Sequence, residues 1–250
     1  MQIFIFYISF CITLAFIFYI FFKHNKYVLY FERMIILIQI DDAGSGSLIG
    51  GTLIGIMRVE TMDYYSEIIP VKHFRSPSFQ KKSYDNYSTK IIKKAFKELN
   101  VSKNEPIEIC QGYMFSSARE FLKESGYNFK STKIDEPLQS TIEENFTDYC
   151  VGLGVPLSYL DYTKYPFHFH RLLKWVFADF KTREKLCKTA WKSWEKYSKV
   201  EKSYSTDHIC SGKYYCLKCG NEISIPSKIK TITYTTNKPY TIYMHPKCTI

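Results

Sequence analysis

Four residues near the C-terminus constrain this chain more than any other feature. Cys216, Cys219, His245 and Cys248 form the pattern Cys-x2-Cys-x25-His-x2-Cys. Two close ligand pairs are what a tetrahedral Zn²⁺ site asks for: a tight turn aims both thiolates of the first pair at one metal, and the second pair closes the shell. The segment that carries them is too short to bury a core of its own, since below about 40 residues a domain usually needs a staple. A structural zinc on these four residues is the expectation. His208 and Cys210 lie just upstream as spare ligands, although Cys210-x5-Cys216 is a poorer chelating step.

The surroundings of the ligands narrow the choice. Cys216-Leu217-Lys218-Cys219-Gly220 leads into the strand-like run from Lys228 to Tyr234, and the segment closes on Tyr243-Met244-His245-Pro246-Lys247-Cys248. Over residues 214–250 this resembles the PARP-type zinc finger. The resemblance implies binding to DNA ends, nicks and gaps by structure rather than by sequence. The insert here is slightly shorter than that family's usual one. LIM-like and other treble-clef fingers share the ligand order, and those mostly bind proteins.

Charge is concentrated at the same end. The chain carries a formal net charge of +10 over 250 residues. Residues 181–200 hold seven Lys or Arg against two Glu, and residues 201–250 hold seven Lys against three acids. The first 180 residues are therefore close to neutral. A basic footprint of this kind suits phosphate binding, and Lys192, Lys213, Lys218, Lys228 and Lys230 are the candidate nucleic-acid contacts. A solvated basic face gives the same pattern. Trp191, Trp194 and Tyr197 make the leading segment amphipathic, suited to packing on the main domain or to stacking on bases. Among the eight cysteines, Cys11, Cys110, Cys150 and Cys187 stand singly in apolar patterns. There free Cys behaves as a small hydrophobe, and the setting reads as reducing and cytoplasmic.

Residues 1–22 contain no charged side chain, and that length can span a bilayer. Lys23, His24 and Lys26 follow, which by the positive-inside rule leaves the bulk of the chain in the cytoplasm. No small-residue cleavage site is visible. The competing reading is a start at Met34, which opens the first strand of the main domain. The partners expected are thus nucleic acid, with a membrane possible through residues 1–22; no protein partner can be deduced.

Between residues 34 and 200 the pattern is α/β. Ile35 to Ile40, Thr52 to Glu60 and Tyr64 to Pro70 read as three successive strands. Helical spacing follows over 85–99, then a short strand at Ile107 to Cys110. A helix over 116–125, a strand from Phe129 to Ile134 and a helix from Leu138 to Cys150 complete the order β-β-β-α-β-α-β-α, with further helix to about residue 200. Three antiparallel strands first, with flanking helices, make a mixed sheet. A zinc-binding finger at 207–250 follows it.

Within that order, Ile40-Asp41-Asp42-Ala43-Gly44-Ser45-Gly46-Ser47-Leu48-Ile49-Gly50 resembles the opening of the type 2 ribonucleases H, and the domain resembles the ribonuclease H-like superfamily over roughly 34–150. The resemblance implies metal-dependent phosphodiester hydrolysis on DNA or RNA–DNA hybrid. It maps the leading acidic pair to Asp41 and Asp42 and the later Lys-x-Asp strand end to Lys133-Ile134-Asp135. The middle carboxylate has no clean counterpart; Glu108 is nearest, as in RuvC-type junction resolvases. Ser45 and Ser47 replace the family's Arg and Pro, and its A-S-I-x-A-K helix is absent. A two-metal site needs three or four converging carboxylates. Asp41, Asp42, Glu108 and Asp135 or Glu136 could supply them, with Glu144 or Asp148, four apart on one helix face, and Mg²⁺ or Mn²⁺ as the ion. Asp-Asp-Ala-Gly is also ordinary turn chemistry. The cluster Tyr165-Pro166-Phe167-His168-Phe169-His170-Arg171 offers histidines to a phosphate or a metal, or simply starts a helix after Pro166.

Overall fold

The structure is a computed structural model that describes residues 36–161 and 163–248. The hydrophobic stretch at 1–22 lies outside the described residues. Among those described, no helix is long and apolar enough to cross a membrane.

Five strands form the central sheet. β1 (Ile38–Ala43), β2 (Thr52–Arg58) and β3 (Asp63–Ile69) make an antiparallel meander, and β4 (Ile107–Cys110) and β5 (Phe129–Thr132) add to the free side of β1 in parallel, giving the order β3-β2-β1-β4-β5. The first strand begins and ends about three residues later than its hydrophobic run predicts. Pairing with β2 continues from Ile38↔Arg58 through to Ala43↔Leu53. Asp41 and Asp42 are therefore strand residues, not the start of a turn.

Both faces of the sheet are covered, which is why β2 is buried along nearly its whole length. Side chains alternate across a strand. One face carries Ile38, Ile40, Ile54, Ile56, Ile107 and Ile109 onto α1 (Ser83–Glu98) and α2 (Ser116–Glu124). Helix α1 presents Ile91, Ile92, Ala95 and Phe96 at helical spacing. Its buried Asp85 accepts hydrogen bonds from the Ser117 N–H at 3.0 Å and the Ser117 hydroxyl at 2.8 Å. That carboxylate satisfies donors that a helix start leaves unpaired, and so fastens α2 to α1.

The other face carries Ala43, Leu53 and Met57 onto α3 (Leu138–Gly152), through Leu138, Ile142 and Phe146. Here the layers approach closely. A Cβ at Gly55 would fall 2.3 Å from Ile142 Cγ2, and one at Gly44, where φ is +81°, would fall 2.1 Å from the Phe146 ring. Only glycine lets the helix lie this near the sheet.

The chain then runs through α4 (Leu157–Leu160), α5 (Phe169–Phe177), α6 (Phe180–Arg183) and α7 (Lys192–Tyr197). It ends in a three-stranded antiparallel sheet, order β10-β9-β6, built from β6 (Ser203–Ile209), β9 (Ser227–Thr235) and β10 (Pro239–Met244), with the small hairpin β7 (Tyr214–Tyr215) and β8 (Glu222–Ile223) between β6 and β9. The apolar cluster on the α3 face continues without interruption through Trp175, Phe177 and Trp194 into Ile229, Ile232 and Tyr234. Trp194 is buried and Trp191 and Tyr197 pack against the same cluster, so all three aromatics of the basic segment serve as core. Helix α5 starts at Phe169, with Pro166 three residues before it.

Candidate functional site

The C-terminal ligands come together as a cluster. Cys216 and Cys219 sit in the loop of the β7–β8 hairpin, where the Gly220 N–H donates to the Cys216 carbonyl at 2.7 Å and the Cys216 N–H donates to the Asn221 carbonyl at 2.9 Å. β10 delivers His245, and a turn closed by the Cys248 N–H on the His245 carbonyl at 3.0 Å delivers Cys248. The four donor atoms all lie within 4.8 Å of one another. Tetrahedral ligation at a Zn–S distance of about 2.3 Å sets sulfurs roughly 3.8 Å apart, so the donor set can hold a metal ion such as Zn²⁺. Imidazole Nε2 of His245 lies 3.2 Å from the Glu222 carbonyl, and Nδ1 lies 3.4 Å from Cys219 Sγ. Donation from Nε2 to that carbonyl fixes the tautomer that leaves Nδ1 for the metal.

The backbone prepares one thiolate. Burial works against ionisation of Cys216, but the N–H groups of Cys219, His245 and Lys218 overcome it and bring the thiol down to about 7. Burial, then the neighbouring Cys216 and Cys219 sulfurs, push Cys248 up to about 12. A dication at the centre of the cluster reverses that repulsion. His208 and Cys210, both exposed, stand outside the cluster.

The knuckle is bolted to the helices. Buried Arg183 donates to the carbonyls of Leu217 at 2.8 Å, Lys218 at 2.7 Å and Trp175 at 2.6 Å, with its guanidinium 3.9 Å from the Trp175 ring centroid. Asp179 pairs with Lys218 at 3.4 Å, so it serves the Cys216–Cys219 loop rather than the acids of the sheet.

A second cluster forms at the C-terminal ends of β1 and β4, where Asp41, Asp42 and Cys110 bring one ligand atom each within 4.8 Å of the others. The register explains the membership. Gln39 pairs with Glu108 and Ile40 with Ile109, so the next pair along the parallel ladder sets Cys110 beside Asp41. Glu108 shares the face but sits one pleat further back, and it is not in the cluster. The Cys110 thiol donates to the Asp41 carboxylate; burial, then this bond, push the thiol up to about 12. Asp41 itself is raised, by burial first, with Glu143 of α3 adding repulsion against the lowering bonds of Cys110 and the Asp42 N–H. Asp42 is raised to about 6 by burial; Ser45 bonds and Lys188 oppose the shift, and the charge of Asp41 adds to it.

Lys188 was not visible in the sequence as a site residue. It is fully buried, donates to the Gly44 carbonyl at 2.6 Å and to the Thr52 hydroxyl at 3.0 Å, and is brought down to about 7 by burial.

The other sequence candidates are spread out. Glu144 lines a cleft of about 730 Å³ with Asp42, Glu143, Lys164 and His168, between the glycine-rich loop and α3. Asp148 lies further along α3, exposed and outside that lining. Asp135 is exposed and paired with Lys133 at 2.7 Å, and Glu136 accepts from the Ser140 hydroxyl. Of the two histidines, His168 lines the cleft, whereas His170 packs between Tyr197 and Tyr240 with Nδ1 3.1 Å from the Thr236 hydroxyl. Among the candidate lysines, Lys213 and Lys218 face Glu222 and Asp179, Lys192 and Lys228 are exposed, and Lys230 is half-buried on β9.

No family model matches the chain, and no curated protein matches it either.

Proposed function

We propose that this is a nucleic-acid-binding protein in which a PARP-type zinc finger is joined to a ribonuclease H-like domain, and that the acidic cluster on β1 holds a divalent cation for phosphodiester hydrolysis. The observation that carries the reading is the convergence of Asp41, Asp42 and Cys110 at the ends of the two central parallel strands. Three antiparallel strands come first, and the acids stand where the first strand meets the glycine-rich loop. Glu143 faces Asp41 from α3 closely enough to repel it.

The donor set fits one hard cation. Mg²⁺ is commonly held by one or two carboxylates plus phosphate and water, not by an all-protein cage. Asp41 and Asp42 supply the carboxylates, and Glu143 and Glu144 stand across the cleft. Among the described residues a second ion lacks comparable ligands, because Glu108 lies a pleat away and Asp135 faces Lys133. When bound, such a cation polarises a phosphodiester and activates water. The chain's own residues set the geometry. Ser45 bonds orient Asp42, the Cys110 thiol holds one oxygen of Asp41, and the close packing of Gly44 on Phe146 keeps the loop low beside the cleft.

Incubation of nicked duplex, RNA–DNA hybrid and four-way junction with Mg²⁺ or Mn²⁺ tests the reading. Cleavage that disappears in Asp41→Asn plus Asp42→Asn is the expected result, and no cleavage of any of the three substrates overturns the hydrolytic part. One observation favours a second reading, a non-catalytic binder on a degenerate fold. Cys110, a protonated thiol, occupies the place beside Asp41 where a further carboxylate would complete the shell. Binding to nicked DNA without cleavage selects that reading.

A further inference from the structure

A second cleft, of about 680 Å³, opens between the start of α5 and the β9–β10 turn. Its cations are Arg171, Lys174 and Lys238, and no Asp or Glu lines it among the described residues. None of the three cations has a carboxylate partner in the ion pairs of the described residues. Arg171 directs Nε, at 3.0 Å, and Nη2 at the Tyr159 carbonyl and lies 4.1 Å from the Tyr159 ring centroid. The guanidinium is thus held in place before any ligand arrives. Lys174 is half-buried; burial, then the charge of Arg171, lowers it below the usual lysine range. Three cations gathered without a counter-charge are a cost that an anion would relieve.

The remaining walls combine aromatic rings with Thr163, Asn237, Pro239 and Thr241. Tyr159, Tyr165, Tyr240 and Tyr243 line the cleft, and Tyr165 is largely exposed, at 63 %. Cations that track phosphates beside rings that stack on bases make the usual site for single-stranded nucleic acid. Tyr165 and His168 line this cleft and also the acidic one. The two clefts therefore adjoin along the segment before α5.

We propose that the cleft between α5 and the β9–β10 turn binds a single strand of nucleic acid and leads it past Tyr165 and His168 toward Asp41 and Asp42. The site is shared between the α/β domain and the finger, so the finger contributes Lys238 and Tyr240 to a composite groove. This inference rests on the proposed nucleic-acid reading and specifies which part of the substrate is gripped.

The test is fluorescence anisotropy with a labelled twelve-nucleotide oligothymidylate, zinc-loaded full-length protein and no added Mg²⁺. Lys174→Gln plus Lys238→Gln should weaken binding about tenfold and make the salt dependence shallower by roughly 1.4 in log–log slope, about 0.7 for each phosphate no longer neutralised. Lys97→Gln plus Lys123→Gln, on the exposed outer faces of α1 and α2, removes the same charge and should leave affinity within twofold. Circular dichroism and zinc content establish that each variant is folded. Equal losses in the two double variants, no loss in the first, no binding by the wild type, or stronger competition from a twelve-base-pair duplex overturns the proposal. Cleavage assays read the hydrolytic proposal separately. Substrate cleavage with unchanged oligothymidylate binding in the Lys174/Lys238 variant sinks the groove alone. Loss of binding in that variant without cleavage by the wild type sinks hydrolysis alone.

Discussion

Cys110 and Lys188 set the character of the acidic cluster, and neither declared itself in the sequence. Cys110 was hidden by register: Glu108 and Cys110 point to the same face, and only the pairing Gln39↔Glu108 shows that the cysteine is the one level with Asp41. Cys110→Asp should therefore tighten Mn²⁺ binding several-fold, because ligand charge count governs affinity at such sites. Isothermal calorimetry beside Cys110→Ser checks this, and equal affinities in the two variants would remove Cys110 from the account. Lys188 was hidden for a different reason: it becomes buried only because its segment crosses back to Leu48, whose carbonyl accepts its N–H at 2.8 Å. Its titration is lowered from 10.5 to about 7. Between those values the unfolded chain holds a proton that the folded chain lacks, so stability rises with pH across the window and the cost is complete below it. Urea midpoints should climb between pH 7 and pH 9.5 in the wild type and stay flatter in Lys188→Met. Parallel profiles would show that the buried lysine does not titrate in this range.

At the level of elements, local pattern carried most of the information. Helices α1, α2 and α3 fall where apolar spacing puts them, and the Cys-x2-Cys and His-x2-Cys pairs are legible because each lies within one turn of chain. Strand ends were less clear, since an isolated apolar run does not reveal how far a partner extends it; β1 runs on through Asp42 because β2 continues opposite it. The role of α6 could not be read at all. Arg183 looks like one more basic residue in a charged run, yet it bonds three carbonyls across the helix–finger junction. Replacing it with Met leaves those acceptors buried and unpaired, each worth about 1–3 kcal/mol. Arg183→Met should lower stability by roughly 3 kcal/mol or more and speed zinc release to a chromophoric chelator. A variant with wild-type denaturation and release rates would contradict that role.

Taken whole, the molecule has one apolar cluster reaching from the sheet face under α3 to the strands of the finger. Removal of a metal held by the Cys216, Cys219, His245 and Cys248 cluster should accordingly be felt beyond the C-terminal sheet. Calorimetry after exhaustive chelation should show a lowered transition in which Trp175 and Trp194 fluorescence changes together with the finger; an unchanged main transition would mean that the two parts unfold independently. The sequence could not convey this continuity, because a basic segment followed by a ligand pattern looks the same whether the finger is tethered or docked. Docking has a consequence for how such a protein can change over generations. A C-terminal sheet that contributes Leu217, Ile229, Ile232 and Tyr234 to the shared apolar cluster, and whose knuckle carbonyls are claimed by Arg183, is not a cassette that recombination can lift out and fuse elsewhere. Its natural unit of exchange would have to begin upstream of α5, carrying Trp175 and Arg183 along with Cys216, Cys219, His245 and Cys248.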